Sequence, residues 1–491
     1  MESKSLMFEQ NEQKAFIDRK RIKIHNIYFN SHLRYDDKKG WKWDTNTLMK
    51  AYTTQGVNNM LAILGFLMMI VFMVLIMTKR MSVLTALVLT PIAFALIAGF
   101  HFTEISDMIV KGVQQVAPTA VMIMFAILYF GIMIDAGLFD PMVAKILKIV
   151  KGDPLKIVVG TAVLTMLVAL DGDGTTTYMI TTTAMLPLFT LLGIRPIILA
   201  GIAGVGMGIM NTIPWGGATP RAASALGVDP SLLFGPMIPV IGAGVLSMII
   251  VAYFLGKAER KRLGVIELDQ PIHANEMAAA LQDDIKRPKL WWFNLALTLL
   301  LVLLLVSGKV SLTVLFVLAF CVAIIVNYPN LDQQRERIAA HSTNVLAIAS
   351  MIFAAGVFTG ILTGTKMVDE MAISIVSAIP EQLGGFIPVI VALTSGIFTF
   401  FMPNDAYFYG VLPILSETAA AYGVDKIEIA RASIIGQPIH MLSPLVPSTH
   451  LLVGLVGVSL DQHQKFGMKW AVLAVVAMTV VAVLIGAISI W

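Results

Sequence analysis

The sequence predicts an all-α, polytopic membrane protein made of an inverted repeat, each half holding five spans and one re-entrant hairpin. Three observations predict it. Hydrophobic residues make up 57% of the 491 residues and charged residues 13%, against about 25% charge in an ordinary soluble domain. Apolar runs near the length of about 20 residues that a membrane helix needs recur along the chain. The order of runs and interruptions in the first half then returns in the second.

This balance excludes a soluble globular enzyme. The net charge of +4 is spread over a mostly apolar chain, so it does not point to nucleic acid. A single cysteine, Cys321, forms no internal disulfide, and no Cys/His zinc spacing is present. The first 45 residues lack the apolar core of a signal peptide.

Taken in order, spans are expected at 60–78, 81–100 and 116–134. An amphipathic stretch follows at 140–150, where Lys145, Lys148 and Lys151 alternate with Val143, Ile146 and Leu147, and this stretch belongs at the membrane interface. Two short arms, 155–170 and 178–193, flank the polar run Asp171 to Thr177 and so predict a re-entrant hairpin. Residues 196–213 run into an interruption at Pro214 to Pro220 followed by Arg221, and a span occupies 231–256. A polar linker at 257–290 carries seven Lys/Arg.

The series then restarts. Spans at 291–306, 310–327 and 343–362 precede an amphipathic stretch at 367–380. Arms at 386–402 and 406–421 flank Pro403, Asn404 and Asp405 as a second hairpin; a run at 429–442 breaks at Ser443 to Thr449, and a last span lies at 470–491. Direct alignment agrees with this order. At an offset of 229, Gly131, Asp140 and Met142 meet Gly360, Asp369 and Met371; at 230, Gly206, Pro214 and Thr219 meet Gly436, Pro444 and Thr449.

An odd number of crossings makes the second half enter from the opposite face, the plan of many secondary transporters. The divisions are therefore a membrane repeat at 60–256, a cytoplasmic linker at 257–290 and an inverted membrane repeat at 291–491. Lys79, Arg80, Lys145, Lys148, Arg195, Arg335, Arg337 and Lys465 fall on one face with the linker, which the positive-inside rule makes cytoplasmic. Residues 1–59 resist the scheme, because the crossing count places this polar segment with its eleven Lys/Arg outside. Either it is an exported extension or the natural chain begins at Met60; the second is the expectation here.

Charge inside a membrane costs about 2.5 to 3.5 kcal/mol per residue on insertion scales, so the few charged positions there mark a site. They are Asp171 and Asp173 at the first tip, Arg221 beside the first break, Asp405 and Glu417 in the second hairpin, and Arg431 and His440 before the second break. A broken helix offers amide N–H groups to an anion and carbonyls to a cation. Gly172, Gly174, Gly216 and Gly217 admit close backbone approach, and Thr175, Thr176, Thr177 and Thr219 add uncharged hydroxyls. Two tips and two breaks would form one polar chamber. There Arg221 can grip a carboxylate through two N–H bonds, and Asp171 or Asp173 can offer hard oxygens to a divalent cation.

Plainer roles stand beside these. Asp171 and Asp173 can simply cap the returning arm, and the two roles are compatible. Asp-Gly-Asp-Gly lacks the later ligands and the terminal Glu of an EF-hand. Gly204-x-Gly206-x-Gly208 lies inside a span and suits helix packing rather than a nucleotide. His440 is either a proton carrier or a buried neutral ring satisfied by a neighbour. Glu417 can equally be the titrating group, and Arg431 is either a structural partner or a substrate ligand.

Four segments, Leu170-Asp-Gly-Asp-Gly-Thr-Thr-Thr-Tyr178, Pro214-Trp-Gly-Gly-Ala-Thr-Pro-Arg-Ala222, Phe401-Met-Pro-Asn-Asp-Ala406 and Gly436-Gln-Pro-Ile-His-Met-Leu-Ser-Pro-Leu-Val-Pro-Ser-Thr449, resemble the citrate-metal-proton symporter (CitMHS) family. The resemblance runs from about Met60 to Trp491. It implies the ion transporter superfamily fold, in which a dimerising scaffold holds a transport domain that moves as an elevator, here about 155–230 and 386–458. It also implies the cargo: citrate chelated to a divalent metal such as Mg2+, with proton coupling, in a homodimer of the cytoplasmic membrane. No permanently bound cofactor is expected, the metal being part of the transported complex.

One divalent ion reduces the citrate trianion to a net charge of minus one, which is easier to desolvate. Such cargo suits one arginine with a few hydroxyls rather than a dense basic cluster. The expected binding set is Arg221, Thr175, Thr176, Asn211, Gly216, Gly217, Thr219, Asn404, Ser448 and Thr449. The set for metal or proton coupling is Asp171, Asp173, Asp405, His440 and Glu417. The sodium-coupled relatives carry Ser-Asn-Thr tips, whereas the tips here read Gly-Thr-Thr and Pro-Asn-Asp, a departure that favours protons. The alternatives are a sodium-coupled di- or tricarboxylate carrier and, from another class, a cation/proton antiporter.

Overall fold

Lipid offers the backbone no hydrogen-bond partner, so runs long enough to cross it fold as helices whose bonds close internally. The computed structural model describes residues 33–36, 40–43, 45–150, 152–265, 285–307, 309–376, 379 and 381–490. Seven of its helices are long and apolar enough to cross a membrane, and five shorter apolar helices accompany them. The chain is an integral membrane protein. One feature departs from the all-α expectation: β1 (Leu33–Asp36) and β2 (Gly40–Trp43) form an antiparallel hairpin ahead of the first span. The expectation for residues 1–59 otherwise falls largely outside the described residues, as do Lys151 and 266–284 of the linker.

In chain order the helices are α1 (Thr45–Met77), α2 (Val83–Ile97), α3 (Phe102–Asp135), α4 (Asp140–Val150), α5 (Pro154–Val168), α6 (Gly174–Leu192), α7 (Pro196–Met210), α8 (Thr219–Leu226) and α9 (Pro230–Leu263). After the linker come α10 (Trp291–Ser307), α11 (Leu312–Asn327), α12 (Leu331–Gly364), α13 (Met367–Val376), α14 (Glu381–Gly384) and α15 (Ile387–Phe401). A π-helical turn at Ala406–Val411 leads into α16 (Leu412–Ala420), and then α17 (Lys426–Ile434), α18 (Gln437–His440), α19 (Pro447–Val456) and α20 (Leu460–Leu484) complete the chain.

Several helices overrun their apolar runs because capping residues, not hydropathy, set the ends. The Glu104 carboxylate accepts the His101 N–H at 2.8 Å and starts α3 fourteen residues before the expected span at 116. Asn330 accepts the Asp332 N–H at 2.8 Å and starts α12 at Leu331 rather than 343. Ser459 and Gln462 start α20 at Leu460, and this helix ends at Leu484 instead of reaching the terminus. Asp229 starts α9, which continues to Leu263 and so absorbs the first residues of the expected linker. The stretch α4 behaves as its pattern requires: Lys145 and Lys148 are exposed while Val143, Ile146 and Leu147 are half-buried.

Helix lengths recur in order. Helices of 15, 34, 11 and 15 residues at α2 to α5 are followed later by 16, 34 and 10 residues at α11 to α13 and 15 at α15. Helices α3 and α12 cross each other at glycines, since a Cβ on Gly112 would lie 2.0 Å from the Gly356 carbonyl oxygen. Around that crossing pack α2 and α11, while α5, α7, α9 and α20 assemble with the two hairpins into a second group. Gly201, Gly204 and Gly208 of α7 lie against Phe466, His463 and Pro438, so that glycine series is a packing surface.

Candidate functional site

The first hairpin turns at Asp171 to Asp173. Helix α6 starts at Gly174, so Thr175, Thr176 and Thr177 belong to its first turn rather than to the tip itself. Asp171 Oδ1 accepts the Asp173 N–H at 2.9 Å, and Asp173 Oδ2 accepts both the N–H and the hydroxyl of Thr176 at 2.7 and 2.8 Å. Both carboxylates thus act as caps. Asp171 Oδ2 is buried without a partner, which leaves one oxygen beyond the capping role. Thr175 is exposed. Gly172 takes a φ of 82°, where an L side chain is strained, and a Cβ there would lie 3.0 Å from the Trp215 carbonyl oxygen.

The first break runs from Asn211 to Ala218 between α7 and α8. Asn211 holds it: its Oδ1 accepts the Gly217 N–H at 2.7 Å, and a Cβ on Gly216 would sit 2.5 Å from the Asn211 carbonyl oxygen. The two glycines therefore serve the turn itself. Thr219, buried at the head of α8, donates its hydroxyl to Thr212 O at 2.9 Å. Thr449, buried in α19, does the same to Met441 O at 2.8 Å across the second break. These hydroxyls are spent on backbone carbonyls that the interruptions expose.

Four contacts bring tips and breaks together. The Trp215 indole N–H donates to Leu170 O at 2.7 Å, joining the first break to the first tip, while its ring stacks on Phe130. A Cβ on Gly174 would meet Ser448 Oγ at 2.8 Å, so the first tip touches the second break. Asn404 of the second tip exchanges amide bonds with Gln437, whose Oε1 also accepts from Asn211 Nδ2 at 2.7 Å. Arg221 Nε donates to Asp405 Oδ1 at 2.6 Å, pairing the first break with the second tip. Arg221 Nη1 donates to Gly217 O at 2.5 Å, and the Ser224 hydroxyl beside it donates to the Tyr409 phenol at 3.4 Å. Ile123, Ile348, Met351 and Ile352 of α3 and α12 wall this side, enclosing about 10 Å³ beside Arg221 and Tyr409.

Not every candidate joins them. Glu417 is exposed on α16, and its charged neighbours are Asp369 and Lys426. Arg431 donates to Ala487 O and Leu232 O at 3.3 and 2.6 Å, a structural role. His440 Nδ1 lies 2.8 Å from Thr399 O, tying α18, just ahead of the second break, to α15 of the second hairpin. Among the described residues no group of three or more His, Cys, Asp and Glu is placed to hold a metal ion. Gln437, Trp215 and Tyr409 carry roles that a search for charged residues passes over. The available signal was a buried amide or aromatic N–H inside an interrupted apolar run.

A helical bundle whose broken ends converge with an ion pair and an amide cluster inside the membrane defines a solute transporter, not an enzyme. The model of the citrate transporter family, CitMHS, matches residues 60–436, and the chain belongs to that family. A Bacillus subtilis (strain 168) protein described as a Mg2+/citrate complex secondary transporter is 84% identical over 431 residues, covering 88% of this chain and all of that one. A citrate transporter of the same organism is 60% identical over 430 residues with the same coverage. The solved structure of Neisseria gonorrhoeae MtrF, from a class of antimetabolite efflux pumps, aligns with a TM-score of 0.55 at 16% identity, over 77% of this chain and 83% of that one; it is a likeness of fold.

Proposed function

We propose that this protein carries citrate as its complex with a divalent metal such as Mg2+, by proton-coupled symport across the cytoplasmic membrane. The observation that carries the cargo is the 84% identity to a Mg2+/citrate transporter over that protein's whole length. The site chemistry supports it. One arginine, amides and helix ends suit an anion of low net charge, whereas a trianion would call for more cations. In this reading Arg221 is the carboxylate ligand and Thr175, Thr176, Asn211, Gly216, Gly217, Asn404 and Ser448 complete the binding set; Asp171, Asp173 and Asp405 are the groups for metal or proton.

The proposal extends to architecture. The recurring helix lengths and the alignment offset support an inverted repeat at 60–256 and 291–491, with residues about 155–230 and 386–458 moving as an elevator against the α3 and α12 scaffold of a homodimer. The crevice of about 10 Å³ beside Arg221 has room for roughly one water, so citrate enters only with movement. Cross-linking in native membranes tests the dimer.

Uptake of labelled citrate into proteoliposomes, with metal, pH gradient and sodium gradient varied separately, tests the transport reading. Uptake should require the divalent metal and rise with an inward proton gradient. Indifference to metal would sink the complex as cargo, and dependence on sodium alone would favour a sodium-coupled carrier. Arg221→Lys keeps the charge but loses the planar fork; unchanged uptake would argue against its grip on carboxylate.

A further inference from the structure

We infer that Asp405 is the group by which the carrier recognises the metal of its cargo, through an exchange of ion-pair partners with Arg221. The inference rests on the proposed metal–citrate cargo. In the structure Arg221 already has a carboxylate partner: Nε and Asp405 Oδ1 stand 2.6 Å apart, with the two side chains only 21% and 15% exposed. An arginine so paired has its charge already matched. A substrate carboxylate that takes over the Nε bond displaces Asp405, and the displaced Asp405 must then find a new cation, because a half-buried charge left alone is strongly unfavourable.

The cargo is itself an ion pair of a divalent cation with carboxylates. Binding can therefore proceed as a swap: Arg221 passes from Asp405 to a citrate carboxylate, and Asp405 passes from Arg221 to the metal. The total charge is conserved, and no bond is made or broken covalently. The pair is neutral before the swap, and the complex adds its own net charge of minus one.

Metal-free citrate cannot complete the exchange. It would present three negative charges to one arginine while leaving Asp405 beside them with no cation, and like charges at close quarters suppress the wrong partner. The surroundings offer no substitute. Arg221 Nη1 is bonded to Gly217 O, the neighbouring Tyr409 phenol is bonded to Ser224, and His440 Nδ1 lies on Thr399 O, so none of them brings Asp405 a second cation. The ligands completing the metal's shell come with the cargo, as citrate oxygens and water, so a single protein carboxylate suffices.

The test measures binding of labelled citrate to the purified full chain, with Mg2+ or with chelator, in wild type and Asp405→Asn. The wild type should prefer the Mg2+ complex over metal-free citrate by about 100-fold or more. In Asp405→Asn the Arg221 fork is released and the metal loses its ligand, so the preference should shrink to within about threefold, with metal-free citrate binding more tightly than to wild type. Retention of the wild-type preference by a folded Asp405→Asn would overturn the exchange. If that variant does not fold, Asp405→Glu is read instead: a carboxylate moved by one methylene should reorder the preference among Mg2+, Mn2+ and Ca2+ complexes, and an unaltered order would overturn the inference. A wild type that binds both forms of citrate equally would instead refute the cargo on which this rests, so the two failures are separable.

Discussion

Asn211 donates its amide N–H to the amide oxygen of Gln437 at 2.7 Å, and this buried bond joins the first half of the chain to the second at the point where α7 ends. The same oxygen receives Asn404 at 3.2 Å. Replacing Gln437 by Met keeps length and removes both partners, leaving the Asn211 N–H group buried and unpaired. The expected loss is about 1 to 2 kcal/mol of stability. It should appear as a lower thermal midpoint in detergent, with slower citrate uptake. A variant melting with the wild type would show that the cluster does not hold the halves together.

The hydroxyls of Thr219 and Thr449 close the two breaks in matching fashion, each reaching back to a backbone carbonyl near the end of the preceding helix. Thr→Val at either position keeps the shape and strands a buried carbonyl, at about 1 kcal/mol each. Thr→Ser should retain most of the stability. Thermal midpoints of the four single variants provide the check. Substrate contact through these hydroxyls would show differently, as a change of citrate affinity with no change of midpoint.

Hydropathy made the apolar helices legible, because apolar length is dictated by lipid. Helix ends were less legible. Glu104, Asn330 and Gln462 set them through side-chain bonds several residues outside the apolar runs. Within the site, the sequence picked out Arg221 and Asp405 separately as charges inside the membrane, but their pairing at 2.6 Å joins positions 184 residues apart, which no local pattern encodes. Gln437 escaped for another reason: it is neutral, so a search for costly charges ignores it. Glu417 drew attention as a charge in an apolar arm, yet it lies on the exposed side of α16.

Where α3 ends, Asp135 Oδ2 pairs with His341 Nε2 at 2.9 Å and faces Arg337 Nη1 at 3.5 Å. Arg337 is 9% exposed, and the His341 ring lies where a Cβ on Gly131 would come within 2.7 Å of it. Asp135→Ala removes the shared carboxylate while Arg337 Nη2 keeps Glu336 Oε1, and should cost about 1 to 3 kcal/mol, below the scale of leaving a buried charge wholly unpaired. Citrate affinity of the folded fraction should stay at the wild-type value, since the cluster lies between the crossing helices and outside the four site elements. Binding measured beside thermal midpoint checks both halves of this expectation.

Gly436 marks the tightest approach of a glycine to backbone in the second half, and its environment predicts a sharp contrast between two glycines. A Cβ there would stand 2.1 Å from the Gly396 nitrogen and 2.5 Å from Ser395 Oγ, whose oxygen accepts the Gly436 N–H at 3.1 Å. The nearest obstacle is backbone, which cannot step aside as a side chain end can, so Gly436→Ala must push α15 away from the second break. Overpacking of this kind costs about 1 to 3 kcal/mol and more when backbone must move. Gly242 inside α9 has nothing within 4 Å of its built Cβ. There alanine only improves helix propensity, by up to about 1 kcal/mol. Gly436→Ala should therefore lose most of its monodisperse peak in size-exclusion chromatography of detergent extracts, while Gly242→Ala matches or exceeds the wild type. Equal behaviour of the two variants would mean that the second hairpin and the second break do not meet this closely.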